Sequence, residues 1–354
     1  MNETSLPLER IMKQGIYIFF MLLIGYVSAF AQQTWTDAAN NSVSFPHSIE
    51  RIADAWPAHN AIVTMLGSGD KIVATIVTPQ MCPWLYKINP HMQKATVAFS
   101  TDSGAMGSME ELLKAKPDVV FVSSGNKNRE LFKSLGLNVF ELSLTDFFSL
   151  KETVLLTGKV LGQKALIKAE AYATYLEEVT RSIEAKLKPI PQNQKPKVLH
   201  LSGIGASYVA DGSDSMMDAW IRLAGGINVA SELKGANKVV SMEQIVAWNP
   251  DIVIIGASSR SVQASDFLDN PVFKTLAAVR TKKVYINPKG MFFWDRYSAE
   301  AILQVQWAAQ IFYPELFKTF DIEHETISFY TRFFDYPLSK EEAKMIIQGI
   351  PPPR

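Results

Sequence analysis

The fifteen residues Ser108–Val122, SMEELLKAKPDVVFV, return without a gap as Ser241–Ile255, SMEQIVAWNPDIVII, 133 residues further along. Six positions are identical: the opening serine, methionine and glutamate, then the proline, the aspartate and one valine. A period this long exceeds any solenoid unit, so it constrains the chain to two related lobes, each holding one copy. In each copy serine is a helix N-cap, and Glu110 or Glu243 falls in the first turn, where the helix dipole favours a carboxylate. Met109, Leu112 and Leu113 give the helix one apolar face. The proline ends it, because the residue before a proline avoids the α region. Val119–Val122 and Ile252–Ile255 are continuous apolar runs, as expected of strands buried on both faces of a parallel sheet. Two lobes of this kind place a binding site in the cleft between them.

The rest of the chain supports that organisation. Ile52–Trp56, Lys71–Val77 and Asn138–Leu142 read as strands of the first lobe, with Ala61–Leu66 and Arg129–Leu135 as helices. Thr78–Gly107 reads as a long loop rich in proline, methionine and glycine; loops of this length in a compact domain tend to be functional. Ser149-Leu150-Lys151-Glu152 has the form of a capping box. Tyr172, Leu176, Val179, Ile183 and Leu187 then form a helical stripe, which Pro189 and Pro191 close. Gly158 and Gly162 are the places where this helical segment can break. In the second lobe Val198–Leu201 and Lys283–Ile286 read as strands, Met216–Ala224 and Ser298–Phe312 as helices, and Ser202–Ser215 and Asn287–Arg296 as loops. Two more helices follow in Asp321–Gly349, the second starting at Ser339. The predicted divisions are a leader over 1–31, a first lobe over 32–148, a helical connector over 149–188, a second lobe over 196–318 and a tail over 319–354.

The leader is a secretory signal by its own features. Arg10 and Lys13 precede the apolar stretch Ile16–Ile24, and Ala29-Phe30-Ala31 is a small-x-small cleavage site before Gln32. Met1 and Met12 are both candidate starts. The apolar stretch is short for a membrane span. Among 354 residues the formal net charge is zero, which argues against nucleic acid as a partner. Cys82 is the sole cysteine, so neither an internal disulfide nor a thiolate metal cluster is possible. No phosphate-binding loop, dinucleotide fingerprint, nucleophile elbow or local His pair occurs. An enzyme would have to assemble its residues from distant loops, and the reading is that the chain is not one.

The secretion signal, the duplicated S-x-E-x-(I/L)-x-x-x-x-P-D-(V/I)-(V/I) element, the connector, Ala55-Trp-Pro-Ala-His-Asn-Ala61 and Trp220-Ile-x-x-Ala-Gly-Gly-x-Asn-Val-Ala230 together resemble one family. It comprises the periplasmic substrate-binding proteins of ABC importers for iron siderophores, haem and cobalamin. The resemblance spans the mature chain. It implies two Rossmann-like α/β lobes joined by a single long α-helix, with the ligand cleft between them. It also implies a ferric siderophore or related metal chelate as ligand, the metal arriving with the chelate rather than as a resident cofactor. The partner implied is an ABC permease dimer with its ATPase subunits. By motif position Glu110 and Glu243 are the permease-docking carboxylates, one per lobe. Strand-end loops supply the expected ligand contacts: Trp56, His59, Trp84, Tyr86, Tyr208 and Trp294 for packing or polar contact, Arg260 and Arg296 for negative oxygens. Haem, cobalamin, a nickel chelate and molybdate are alternative ligands. A periplasmic hydrolase and a non-transport receptor are alternatives of another class.

Overall fold

The computed structural model describes residues 32–46, 48–100, 107–204, 207–256 and 263–353. The leader therefore lies outside the described residues, as does Arg260.

In the first lobe the strands β3 (Ile52–Asp54), β4 (Ile72–Thr75), β5 (Thr96–Val97), β6 (Val119–Ser123) and β7 (Val139–Leu142) lie in the order β5-β4-β3-β6-β7, all parallel. The chain moves outward from β3 through β4 to β5, then returns to β6 on the other flank. β3 and β6 thus flank the point at which strand order reverses, where open α/β sheets bind ligands beyond their carboxyl ends. Ahead of this sheet β1 (Gln32–Thr36) and β2 (Ser42–Pro46) form an antiparallel hairpin. Asp37 closes its turn by accepting the N–H groups of Ala39 and Asn41 at 2.9 and 2.8 Å. Phe45 anchors the hairpin edge-on against Phe140, with ring centroids 5.4 Å apart.

The second lobe is built around β8 (Lys197–Gly203). Its order is β11-β9-β8-β12-β13, with β9 (Tyr208–Ala210), β11 (Lys238–Val240), β12 (Ile252–Ile255) and β13 (Val284–Ile286), while the short β10 (Ile227–Asn228) pairs with the start of β8. β12 and β13 continue β8 in parallel, but β9 and β11 run antiparallel to their neighbours. The two lobes are therefore alike in the half that contains the repeat and differ in the other half.

The repeated aspartate has the same structural task in each lobe. Asp118 accepts the N–H groups of Glu50 and Arg51 at 2.8 and 2.9 Å and donates its own N–H to Arg51 O at 2.8 Å. Asp251 accepts the N–H of Lys197 at 2.8 Å and donates to Lys197 O at 2.8 Å. The cations at these positions then turn back onto the preceding helix. Arg51 Nη2 donates to Ala115 O at 2.6 Å, and Lys197 Nζ to Trp248 O at 3.2 Å. Cations at helix C-termini satisfy open carbonyls and meet the negative end of the dipole. Each copy of the repeat thus clamps the central strand of its own sheet.

Two helices join the lobes, Phe147–Leu161 and Gln163–Leu187, separated at Gly162 with φ of 103°. The first is capped by Asp146, which accepts Ser149 N–H at 2.8 Å while Ser149 Oγ accepts Asp146 N–H at 2.9 Å. The capping box is therefore Asp146–Ser149 rather than Ser149–Glu152, and Ser149 lies inside the helix. The 25 residues of the second helix span about 37 Å at 1.5 Å per residue. The helices approach closely: a Cβ on Gly158 would lie 2.7 Å from Ala169 Cβ.

The C-terminal helices Ile322–Phe334 and Lys340–Ile347 bridge the lobes a second time. They hold the first lobe through Lys87–Glu342 at 2.8 Å and the connector through Lys168–Asp335 at 2.5 Å. Trp84 Nε1 reaches Ile350 O at 2.9 Å, and on the second lobe Lys289 N–H donates to Ile346 O at 2.9 Å. One continuous core joins the first lobe, the connector and the C-terminal helices, and a second lies within the far side of the second lobe. None of the described helices is long and apolar enough to cross a membrane.

Candidate functional site

At the end of β3 the chain must turn from strand to helix within four residues, and a buried carboxylate makes the turn. Asp54 Oδ1 accepts Trp56 N–H at 3.1 Å, and Asp54 Oδ2 meets His59 Nδ1 at 2.9 Å. His59 Nε2 meets Thr157 Oγ1 of the connector at 3.0 Å. Burial raises the Asp54 pKa, against the opposing pull of His59 and the turn amide. With both ring nitrogens engaged and no exposed surface, His59 supports the loop from behind. What the turn presents forward is Trp56, Pro57 and Ala58.

Facing them across the interlobe gap are Ser202 from β8, Asn237 ahead of β11, and Phe292, Phe293, Arg296 and Tyr297 from the loop after β13. Together these side chains enclose a cleft of about 530 Å³. This volume falls within the range of pockets that take small ligands. Both lobes line the cleft, and every lining segment follows or approaches a strand end. Other hollows lie against the connector, away from this junction.

Two buried networks hold the second-lobe wall. Glu300, fully buried, accepts Met291 N–H at 3.2 Å, Phe292 N–H at 2.9 Å, Trp294 Nε1–H at 2.9 Å and the Tyr330 hydroxyl. Burial pushes its carboxyl up to about 7 against the opposing pull of those donors. No room for a side chain remains at Gly290, where a Cβ would lie 2.0 Å from both Glu300 Oε1 and the Tyr330 hydroxyl. The second network is centred on His200 of β8. Its Nδ1 lies 2.8 Å from Asp211 Oδ2 and its Nε2 2.9 Å from Asp295 Oδ2. Among the described residues no group of three or more His, Cys, Asp or Glu side chains is arranged to hold a metal ion.

Of the expected ligand contacts, the structure brings Trp56 and Arg296 together at the cleft. Others are turned inward. Trp84 and Trp294 have no exposed surface, and each spends its indole N–H inside the protein, on Ile350 O and on Glu300. Tyr86 is buried with its hydroxyl on Val77 O at 2.9 Å. Tyr208, half-buried, packs at a T-shaped angle against Phe273, with centroids 5.4 Å apart, at the margin of the second lobe's own core. The reason for the difference at Trp84 and Tyr86 is that the expected long loop is partly folded. Pro83–Ile88 is a helix, Pro90–Lys94 a 3-10 turn and Thr96–Val97 a strand. A proline at the first helical position, where the missing N–H is not needed, was the available signal for that helix.

Phe292, Phe293, Ser202 and Asn237 are not named as contacts by the sequence, and Tyr297, which reads there as helix packing, lines the cleft. The first two belong to the strand-end segment Phe292–Arg296 expected around the ligand, in which Trp294 is the ring named as a contact. Glu110 and Glu243 are exposed at equivalent first-turn positions of the helices Met109–Lys114 and Met242–Trp248. Ser108 Oγ accepts Glu111 N–H at 3.3 Å and Ser241 Oγ accepts Gln244 N–H at 3.2 Å, so the repeated serines are N-caps as the sequence requires. The Ser241 hydroxyl holds Glu243 below its ordinary value.

Comparison with known proteins agrees with the fold. The profile of the periplasmic binding protein family matches residues 55–290. The molybdate-binding protein MolA of Haemophilus influenzae is 23% identical over 337 residues, covering 87% of this chain and 92% of MolA. A periplasmic solute binding protein from Veillonella parvula superposes with a TM-score of 0.77 at 26% identity, covering 90% of this chain and 97% of the other. CeuE of Helicobacter pylori, solved as a Ni–His complex, superposes with a TM-score of 0.73 at 22% identity, covering 90% and 99%. The chain belongs to the periplasmic binding protein family, the solute-binding components of ABC importers.

Proposed function

We propose that the protein captures an anionic metal chelate of the ferric-siderophore class in the cleft and presents it to an ABC permease. The carrying observation is the wall itself. Trp56, Phe292, Phe293 and Tyr297 line the same space of about 530 Å³ as one cationic side chain, Arg296. Aromatic faces suit the aryl or planar surface of a chelate, and a guanidinium suits its outward negative oxygens. A tetrahedral oxyanion would leave most of this wall uncovered. A second reading, a molybdate-type oxyanion, is favoured by the near full-length similarity to a molybdate-binding protein. On either reading the chain works in the periplasm after cleavage behind Ala31, and no step of its work is catalytic. Glu110 and Glu243, one per lobe, are the carboxylates that meet a two-fold permease.

The test is a tryptophan-fluorescence titration of Gln32–Arg354 against ferric catecholate and hydroxamate chelates, haem, cobalamin, nickel with histidine, and molybdate. Saturable binding of a chelate, weakened about tenfold or more by Arg296→Ala through loss of a charge-assisted contact, is the expected result. Binding of molybdate alone selects the second reading. Binding that is indifferent to Arg296→Ala and Trp56→Ala overturns the site.

A further inference from the structure

His200 has no exposed surface, and neither do Asp211 and Asp295, the two carboxylates bonded to it. An ionised carboxylate can only accept hydrogen bonds, so a ring with one on each nitrogen satisfies both only when both nitrogens carry protons. The imidazolium also balances charge that the interior cannot otherwise tolerate. Each carboxylate continues to the cleft. Asp211 Oδ1 accepts Asn237 N–H at 2.9 Å, holding Asn237 at a positive φ of 58°. The Ser202 hydroxyl donates to Asn237 Oδ1 at 3.3 Å. Asp295 precedes Arg296 in the chain, and its Oδ1 lies 3.9 Å from Arg296 Nε. The three polar side chains of the second-lobe wall, Ser202, Asn237 and Arg296, are thus linked to one ring that never reaches the ligand.

We infer that His200 is a positioning residue for ligand capture: its two-sided bond to Asp211 and Asp295 fixes Asn237 and Arg296 relative to β8. The inference rests on the reading of this cleft as the ligand site. The groups facing the ring are Asp211 beyond β9, Asp295 from the loop after β13, and Trp220, near perpendicular to it at a centroid distance of 5.7 Å; Arg296 stands beyond Asp295. Tyr297 lies close enough to feel the charges of Arg296 and Asp211, and burial raises the pKa of its hydroxyl. Burial alone would lower the His200 pKa, but the hydrogen bonds and charges of the two aspartates reverse the sign and raise it. The charged ring therefore persists above the ordinary histidine range and is lost as pH rises further.

Two measurements test this. Ring nitrogen-15 chemical shifts of the wild-type chain, with the His200 signal assigned by its disappearance in His200→Gln, are expected to show both nitrogens protonated at pH 7.5. Hydrogen exchange at the Asn237 amide is expected to be slow in the wild type and faster in His200→Gln and His200→Phe, the latter filling the ring volume without a donor. A neutral ring, or unchanged Asn237 exchange in both folded variants, overturns the proposal whatever the ligand is. Affinity supplies the functional arm, with a ferric tris-catecholate and sodium molybdate as probes. Wild-type affinity is expected to fall as pH rises through the His200 titration. The glutamine variant is expected to bind about tenfold or more weakly, from loss of one charge-assisted bond, with that pH dependence gone. Equal affinities and equal pH profiles overturn the positioning role. If neither probe binds the wild type, the reading of the ligand class fails while the two spectroscopic results still decide the clamp.

Discussion

Glu300 gives the sharpest energetic prediction, because four donors converge on a carboxylate that the fold has removed from water. Its carboxyl is pushed up to about 7 from an ordinary 4.5. The folded state therefore binds the proton more tightly than the unfolded state, so this group adds stability below pH 4.5, and that stability is lost as pH rises through 7. Between pH 8 and pH 5 this shift corresponds to about 2–3 kcal/mol in favour of the lower pH, from the linkage of protonation to folding. Neighbouring groups do not blur the window. The Cys82 thiol is held at about 12, and burial keeps the Tyr330 and Tyr172 hydroxyls neutral throughout. Comparison with Glu300→Gln removes the contribution shared by every other group in the chain. Urea denaturation of Gln32–Arg354, followed by far-ultraviolet circular dichroism at pH 5 and pH 8, gives four free energies. The wild type should gain about 2–3 kcal/mol more than the glutamine variant on going from pH 8 to pH 5. A difference near zero, or greater wild-type stabilisation at pH 8, refutes the view that burial outweighs the four donors.

Other consequences follow from the same burial pattern. Cys82 has no exposed surface, so a disulfide reagent should leave the native chain unmodified and titrate one thiol after unfolding in urea; stoichiometric native labelling contradicts its placement. Trp84→Ala removes a fully buried indole and leaves Ile350 O without its donor. The expected cost is about 3–5 kcal/mol, read as a lowered unfolding midpoint, and a midpoint within experimental error of wild type contradicts it. Glu110→Lys combined with Glu243→Lys should abolish uptake in cells carrying the cognate permease while leaving solution affinity for the ligand unchanged. Lost affinity would place these residues in ligand binding rather than docking.

The half of each lobe that contains the repeat was legible because its signals are local. Serine caps, a proline stop and an apolar strand specify their structure within fifteen residues. The aspartate after the proline carried more than the sequence could tell, since its partners Arg51 and Lys197 lie more than fifty residues away in the chain. The hairpin at Gln32–Pro46 was overlooked although Trp35, Val43 and Phe45 alternate with polar neighbours in its strands. β9 and β11 were hidden for a different reason. They are three residues each and follow glycine-rich or charged segments, too short for a period to declare itself.

The cleft was legible by loop and not by side chain. Sequence position placed Trp56 and the Asn287–Arg296 loop at strand ends, and the general rule for open α/β sheets did the rest. Choosing among aromatics within a loop requires knowing where each ring's polar atom is satisfied. Trp294 turns inward because Glu300 waits for its N–H six residues on, and Phe292 and Phe293, with no such atom, line the cleft. His59 looked like a candidate ligand because it follows the first strand. Its two nitrogens are instead consumed by Asp54 and by Thr157, the latter almost a hundred residues away.

The most direct test of the ligand site is an anomalous difference map. Crystals of Gln32–Arg354 grown with the saturating member of the panel would be measured at the absorption edge of its metal, whether iron, nickel, cobalt or molybdenum. The account predicts one dominant peak between the lobes, bounded by Trp56 on one side and by Phe292, Phe293 and Arg296 on the other. A dominant peak anywhere else on the molecule, with no density between these side chains, contradicts it.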